Sequence, residues 1–156
     1  MRQIDTYFEA PRGRLKLRAM GGRAQLIYYE RPDRAAAKRS DVLIVPIGDG
    51  DALRALLDRA LGVRTVVSKV REVWRVRDVQ VMLDTVAGLG TFVELKKVVR
   101  GARALRAAYG ELAALRQELG LRAADIEAPS YSELASGRGV TRRPRRPRKP
   151  RPASSP

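Results

Sequence analysis

The amino-acid sequence predicts an α+β fold in which antiparallel β-strands dominate and two helices flank the sheet. Most of the first hundred positions fall into short runs rich in β-branched and aromatic residues, separated by Gly and Pro. Two longer stretches instead repeat Leu and Ala at the spacing of one helix face. The chain has 156 residues, 44% of them hydrophobic, which suffices for one domain with a modest core.

The first half of the chain predicts four strands. Turn-forming residues separate the first three, with Pro11 and Gly13 after the first run and Gly21-Gly22 after the second. The second run alternates apolar and cationic side chains, as a strand with two different faces does. A polar stretch predicts a loop over 31–40. The predicted strands cover residues 3–8, 14–18, 24–30 and 41–47.

The second half predicts a helix, a three-stranded meander and a second helix. Leucines recur at helical spacing over residues 51–61, and Gly62 is placed to end that helix. A second stripe of Leu and Ala predicts a helix over 102–119, and a short turn follows at 130–134. Between the helices, β-rich runs joined by short turns predict antiparallel strands over 63–76, 79–86 and 91–99.

The composition excludes several kinds of chemistry. There is no Cys and no His, so the chain has no disulfide, no thiolate metal site and no nucleophile paired with a histidine. Any catalysis must use carboxylates, Lys, Tyr or a metal ion held by oxygen ligands. No apolar stretch approaches the ~20 residues of a membrane span, and no secretory signal is recognisable. We therefore expect a cytoplasmic protein that does not enter a membrane.

The net charge of +15 is unevenly distributed. Residues 138–156 hold eight Lys and Arg side chains and no acid, which leaves 24 basic and 17 acidic residues, a net charge of +7, on the rest. We expect a domain over residues 1–136 and a disordered Arg- and Pro-rich tail over 137–156. Two roles fit the tail: weak, non-specific binding of nucleic acid, or simple solubilisation.

Two predicted strands carry cations at alternate positions, which places these side chains on one face of each strand. If the sheet curls, the cations line one cavity, and buried unpaired charges are so costly that a polyanion or a set of carboxylates must neutralise them. A triphosphate suits such a cavity, because Arg and Lys both complement its oxygens. The alternative is a sheet with one solvated basic face. The cations are Arg14, Lys16 and Arg18 on one strand and Lys69, Arg71 and Arg75 on the other.

Two acidic residues fall on neighbouring strands of the meander. Asp84 and Glu94 could hold Mg²⁺ or Mn²⁺ against phosphate oxygens, because hard cations prefer oxygen ligands. Their alternative role is ion pairing with Lys69 or Arg71. Three aromatic residues could stack on a nucleobase or belong to the core: Tyr28, Tyr29 and Trp74.

Four segments, taken in order, form a recognisable pattern. They read DTYF, RGRLKLR, LIYYERPD and LDTVAGLGTFVE, over residues 5–8, 12–18, 26–33 and 83–94. This pattern resembles the CYTH family, which groups class IV adenylate cyclases with thiamine triphosphatases and inorganic triphosphatases, and it is most similar to the class IV cyclase-like branch. The resemblance covers residues 3–134 and ends in the segment from Ser130 to Leu134.

The resemblance implies a closed, eight-stranded antiparallel barrel whose interior is a triphosphate tunnel. Matched by position, the paired basic residues of the family are Lys16 and Arg18 on one strand and Lys69 and Arg71 on another, and the metal-side acids are Asp84 and Glu94. In a cyclase, the ribose hydroxyl of ATP attacks the α-phosphorus and pyrophosphate leaves; in a triphosphatase, water takes the place of that hydroxyl.

The chain departs from the family pattern at two places. The family opens with an E-x-E-x-K strand and a helix ahead of the DTYF segment, whereas here that segment follows Met1 almost at once. The late E-x-E pair begins at Glu94 but has Lys96 in place of its second acid. We therefore expect a barrel that is incomplete at its N-terminus and a reduced metal site.

Two functions fit these residues. The first is an enzyme that binds ATP or another triphosphate with divalent metal and cleaves it, as an adenylate cyclase or a triphosphatase. The second is a degenerate module that binds a nucleotide or polyphosphate without cleaving it. The sequence leaves open which triphosphate is bound and whether the protein forms oligomers.

Overall fold

The computed structural model describes residues 1–30, 39–127 and 129–137. The predicted tail and most of the predicted loop at 31–40 lie outside these residues. The described elements are strands β1 (Arg2–Phe8), β2 (Arg14–Met20), β3 (Arg23–Glu30), β4 (Asp41–Ile47), β5 (Val63–Val76), β6 (Val79–Val86) and β7 (Gly90–Lys96), helices α1 (Gly50–Leu61), α2 (Ala102–Glu118) and α3 (Tyr131–Ala135), and a 3₁₀ turn at Ala123–Asp125. Each predicted strand and helix is confirmed to within three residues at either end, and the predicted terminal turn is the short helix α3.

The seven strands form one sheet in the order β4-β3-β2-β1-β5-β6-β7. Every neighbouring pair is antiparallel, and β1 and β5 lie at the centre. The α+β class and the incomplete antiparallel barrel are thus confirmed. The closed, eight-stranded barrel that the family resemblance implies is not formed by the described strands, since β4 and β7 are the two open edges of the sheet.

The helices α1 and α2 pack on one face of the sheet, the outer face. Helix α1 contacts β1, β2 and β3, above the buried side chain of Leu17. Helix α2 covers the beginning of β6, where Leu115 packs with Val79 and Val81. Burial of these aliphatic side chains supplies the hydrophobic stabilisation of the outer layer. No helix among the described residues is long and apolar enough to cross a membrane.

The start of α1 is fixed by a close approach to β3. Asp49 is the N-cap, and its side chain accepts a hydrogen bond of 2.9 Å from the Ala52 N–H. A Cβ atom at Gly50 would lie 2.6 Å from the Cβ of Ala24. The Asp-Gly pair therefore both caps the helix and lets it begin directly against the outer face of the sheet.

An apolar cluster lies on the opposite, inner face of the sheet. Tyr7, Val67 and Val86 form a buried cluster there, against which Leu89, Phe92 and Tyr131 pack. Tyr131 begins helix α3, and its ring meets that of Phe92 edge-on at a centroid distance of 5.0 Å. Helix α3 therefore anchors the end of the described chain on the inner face, beside the charged residues of that face.

Candidate functional site

Cationic side chains from two strands lie buried or half-buried on the inner face. Strand alternation places Arg14, Lys16 and Arg18 there from β2, and Lys69 and Arg71 from β5. Between β2 and β5 runs β1, which pairs with both and so brings the two sets together. Lys69 is only 3% exposed. The sixth predicted cation, Arg75, has the same strand parity but is exposed near the far end of β5.

The first carboxylate of the site is Asp5, at the centre of β1 and 1% exposed. Arg18 donates to it twice, from Nε to Oδ1 and from Nη2 to Oδ2, both at 2.7 Å. Lys16 Nζ donates to Oδ2 at 2.8 Å. Burial alone would raise the pKa of Asp5, but the hydrogen bonds from Arg18 and the charge of Lys16 hold it far below its usual range. Asp5 is therefore a permanent anion between two cations.

The second carboxylate, Asp84 on β6, has the same arrangement. Arg71 donates to it from Nε and Nη2, both at 2.6 Å, and Lys69 Nζ donates at 3.0 Å. The Tyr131 hydroxyl adds a fourth hydrogen bond at 2.9 Å. Burial raises the pKa of Tyr131, and the charge of Asp84 raises it further, so the phenol stays protonated and remains a donor. Despite burial, the pKa of Asp84 is lowered by Arg71 and Lys69.

Two further acids extend the network. Arg71 Nη2 also donates to Glu94 Oε2 at 2.6 Å, and the Glu94 side chain is 46% exposed. Arg14 Nη2 donates to Glu133 Oε1 at 2.9 Å. Burial acts to raise the pKa of Glu133, but hydrogen bonds from Ser130 and Arg14 outweigh it and hold the pKa at about 2. Helix α3 is thereby tied by its first turn to the edge of the cationic cluster.

The cations of the inner face are therefore largely neutralised by the protein itself. Five cations and four carboxylates meet in the ion pairs of this face, a net charge of +1 among the described residues. The sequence left two partners open, a polyanion or a set of carboxylates, and the geometry supplies the carboxylates. The alternative role of Asp84 and Glu94, ion pairing with Lys69 or Arg71, is the arrangement that the structure contains.

Aromatic rings border the cations. Lys16 Nζ lies 5.2 Å from the Tyr7 ring centroid and 5.6 Å from that of Tyr29, within the range of cation–π attraction. Burial lowers the pKa of Lys16 to about 8, although Asp5 acts in the opposite direction. Of the three aromatic candidates, Tyr29 lies on the inner face. Tyr28 points to the other face and donates to Glu30, and the Trp74 side chain is exposed on the outer face.

Sequence reasoning missed Asp5 as a site residue, although it lies in the DTYF segment. One signal was available. Gln3, Asp5 and Tyr7 alternate along the first predicted strand, which places three polar groups on the face that the register turns toward Lys16 and Arg18. An aspartate in the middle of a β-rich run is unfavourable unless it has a partner, so Asp5 was itself a clue. Tyr131 and Glu133 gave no comparable signal, because their contacts span more than forty residues of sequence.

The predicted metal ligands do not form a metal site on their own. The two oxygens of Asp84 already accept four hydrogen bonds, and one oxygen of Glu94 accepts from Arg71. No group of three or more acidic side chains suited to a metal ion occurs within residues 1–30, 39–127 and 129–137. Hard divalent cations need several oxygen ligands, so these two carboxylates beside Arg71 do not fit Mg²⁺ or Mn²⁺.

Helices α1 and α2 cover one face of this antiparallel sheet, and the other face carries the buried cations. This arrangement is that of a known class of protein domain. A family model for the CYTH domain matches residues 1–131. The chain belongs to the CYTH domain family.

Named relatives extend this likeness. A protein of Methanocaldococcus jannaschii named "Putative adenylate cyclase MJ0240" is 26% identical over 133 residues, which span 84% of this chain and 75% of that protein. The solved structure of the PH1819 protein from Pyrococcus horikoshii has a TM-score of 0.73 and 27% identity, covering 88% of this chain and 84% of its own. A structure named as a putative adenylate cyclase from Vibrio parahaemolyticus has a TM-score of 0.71 and 25% identity, covering 86% and 80%.

Proposed function

We propose that this protein binds a triphosphate on the inner face of its sheet. The observation that supports the proposal is the convergence of buried Lys and Arg side chains from β2 and β5 on the two sides of β1. Arg forks and Lys ammonium groups both complement phosphate oxygens. The proposed triphosphate ligands are Arg14, Lys16, Arg18, Lys69, Arg71 and, at the exposed end of β5, Arg75.

The two buried carboxylates preorganise these cations. Asp5 holds Lys16 and Arg18, and Asp84 holds Lys69 and Arg71, so the cationic side chains need not be ordered when the ligand arrives. Each Arg carries five N–H donors and each Lys three, so donors remain after the carboxylates are satisfied. A triphosphate can therefore add to the existing ion pairs without replacing them.

Cleavage of the triphosphate is the second candidate function. It is supported by the names of the relatives from M. jannaschii and V. parahaemolyticus, each a putative adenylate cyclase. The corresponding reactions are cyclisation of ATP to cyclic AMP and pyrophosphate, or hydrolysis by water. The ion pairs of Asp84 with Arg71 and Lys69 favour binding over cleavage, because within the described residues no group of three acidic side chains is suited to a metal ion. Mg²⁺ or Mn²⁺ would enter only as a cation already bound to the phosphates, with the half-exposed Glu94 as the acid open to contact it.

Calorimetric titration of the full chain with ATP and with tripolyphosphate tests the binding proposal. Lys16→Gln and Lys69→Gln should each weaken binding by roughly 10- to 100-fold, the loss expected for one charge-assisted contact. Arg77→Gln is the matched control, because Arg77 pairs with Glu118 on the surface, away from the site. Absence of binding by the unmodified protein, or equal losses in all three variants, would contradict the proposal.

A parallel assay separates binding from turnover. Release of phosphate and formation of cyclic AMP are followed with Mg²⁺ or Mn²⁺ present, in the unmodified protein and in Glu94→Ala. Activity that disappears in Glu94→Ala establishes the enzyme. Binding without release of product establishes the non-catalytic module.

A further inference from the structure

Gln3 is a buried amide on the inner face whose carbonyl oxygen has no partner among the described residues. The residue is 3% exposed and belongs to the same alternating row of β1 as Asp5 and Tyr7. Its Nε2 donates to two thioether sulfurs, Met20 Sδ at 3.3 Å and Met1 Sδ at 3.4 Å. Its Oε1 is buried and accepts no hydrogen bond from the described residues.

The sulfur atoms of Met1 and Met20 determine the orientation of the Gln3 side-chain amide. Thioether sulfur is a weak acceptor, so it tolerates the N–H₂ end of Gln3. The reversed amide would press the carbonyl oxygen against the lone pairs of Met1 and Met20 Sδ and place the N–H₂ group where Oε1 now lies. The orphan group is therefore the acceptor oxygen of Gln3, and not its donor nitrogen.

The unpaired carbonyl oxygen of Gln3 lowers the stability of the fold. A buried acceptor without a partner is unfavourable, and buried polar groups are nearly always satisfied. The two side chains that Gln3 Nε2 contacts are methionines, which an isosteric Met at position 3 would also suit, so these contacts do not require an amide. An unsatisfied group of this kind points to a partner that is not part of the described chain.

Gln3 also lies where a ligand of the proposed site would reach it. It is directly opposite Lys69 in the β1–β5 pairing, and it precedes Asp5 by two residues, about 7 Å along a strand. It is therefore adjacent to both ion-paired groups without belonging to either. A ligand whose phosphates contact Arg18 and Lys69 would therefore lie next to Gln3.

The orphan group is an acceptor, and that selects the ligand. An ionised phosphate has only acceptor oxygens, so it cannot satisfy Gln3 Oε1, whereas a nucleoside carries hydroxyl and amino donors. We infer that Gln3 accepts a hydrogen bond from the nucleoside part of the ligand, so that the site selects a nucleoside triphosphate over inorganic triphosphate. This inference rests on the proposed triphosphate binding and names the substrate class of that same site. The donor is either a sugar hydroxyl or an exocyclic amine of the base.

The test compares ligands that differ only in these donors. Titration calorimetry of the unmodified chain uses ATP, 2′-deoxy-ATP, 3′-deoxy-ATP, purine riboside triphosphate and tripolyphosphate. ATP should bind at least as tightly as tripolyphosphate, although tripolyphosphate is the more highly charged anion. Removing the relevant donor should weaken binding roughly 5- to 100-fold, the loss expected when a buried polar group is left unpaired. The analogue that shows this loss identifies the donor.

Two variants complete the experiment. Gln3→Met should weaken ATP binding by the same factor, leave tripolyphosphate binding within about twofold, and raise the Tm of the ligand-free protein, because the unpaired acceptor is gone. Gln25→Met is the control, since Gln25 lies on the same face opposite Arg18 and none of its polar atoms is both buried and unpaired. The control should not change the ratio of the two affinities.

The possible failures are distinguishable. If the unmodified chain binds neither ATP nor tripolyphosphate, the proposed function itself is wrong. If tripolyphosphate binds and Gln3→Met changes both affinities equally, or neither, triphosphate binding stands and the role of Gln3 is refuted. A lower Tm in Gln3→Met also refutes it, because that result assigns the carbonyl to an internal structural partner such as a bound water.

Discussion

Arg18 on β2 donates two parallel hydrogen bonds to Asp5 on the neighbouring strand β1, from Nε to Oδ1 and from Nη2 to Oδ2, each 2.7 Å long. Arg71 on β5 makes the same bidentate contact with Asp84 on β6. In each case a Lys on the same strand as the Arg completes the cluster. The inner face is therefore built from two similar units, each a buried aspartate that fixes one Arg and one Lys.

The first prediction concerns the stability that Asp5 provides. Asp5→Asn keeps the shape of the side chain but leaves Lys16 and Arg18 as buried cations without a counter-charge. Breaking a buried pair from one side costs about 3–5 kcal/mol, so the free energy of unfolding should fall by that amount in denaturant titration. Saturating tripolyphosphate should restore part of the loss, because a bound anion replaces the missing charge.

The control for this prediction is Asp125→Asn. Asp125 pairs with Arg122 at 2.8 Å, but both side chains are exposed, and exposed ion pairs contribute little to stability. An Asp5→Asn protein as stable as the control would show that the buried ion pairs carry no net stabilisation. Restoration by chloride at the same ionic strength would show that screening, and not a specific anion, compensates the charge.

The sequence predicted the elements well because strand alternation and helical spacing are local properties. It predicted that Lys16 and Lys69 belong to cationic faces, since period two is visible in a single strand. It gave ion pairing with Asp84 and Glu94 as one alternative for Lys69 and Arg71, but it did not identify Asp5 as the partner of Lys16 and Arg18. Asp5 acquires its partners through the register of β1 against β2, and Tyr131 reaches Asp84 from the far end of the described chain. Such contacts depend on tertiary geometry that no local pattern encodes.

The second prediction is a loss of triphosphate affinity above pH 8. Burial lowers the pKa of Lys16 to about 8, so the amine is charged below that pH and loses its proton as the pH rises through it. Binding of an anion above pH 8 must then recover one proton, which raises Kd by up to tenfold per pH unit. The phosphates are fully ionised at this pH, so the ligand itself does not change charge. Calorimetric titrations with ATP at pH 7, 8 and 9 measure the effect.

Lys16→Arg is the matched variant, because an Arg side chain stays protonated throughout this range. Its affinity for ATP should remain nearly constant from pH 7 to pH 9. A parallel decline in the unmodified protein and in Lys16→Arg would assign the pH dependence to another group. A flat profile in both proteins would mean that Lys16 keeps its proton above pH 9.

The third prediction concerns the tail, residues 138–156, and rests on the sequence alone. Its eight cations should retain DNA or RNA at low salt without sequence preference, because each neutralised phosphate releases a counterion. Retention on a polyanionic nucleic-acid column should fall steeply as salt rises and disappear when residues 138–156 are deleted. Unchanged retention in the deleted chain would assign nucleic-acid binding to the domain itself, and no retention by the full chain would leave the tail as a solubilising segment.

The fourth prediction is that Glu133 contributes to acid unfolding by tying α3 to the site. Its pKa is about 2 in the folded protein and 4.5 in an unperturbed chain, so its stabilising contacts with Ser130 and Arg14 are fully present above pH 4.5. They are lost as the pH falls from 4.5 toward 2, because the unfolded state binds the proton more tightly.

Glu133→Gln lacks this proton-linked contribution to stability, so its Tm should fall less than that of the unmodified protein between pH 5 and pH 3. Asp5 and Asp84 are present in both proteins and contribute to acid unfolding equally in each, so the difference between the two proteins isolates Glu133. Glu118→Gln, at an exposed ion pair with Arg77, should behave like the unmodified protein. Identical acid profiles for Glu133→Gln and the unmodified chain would mean that the first turn of α3 is not held on the inner face by this carboxylate.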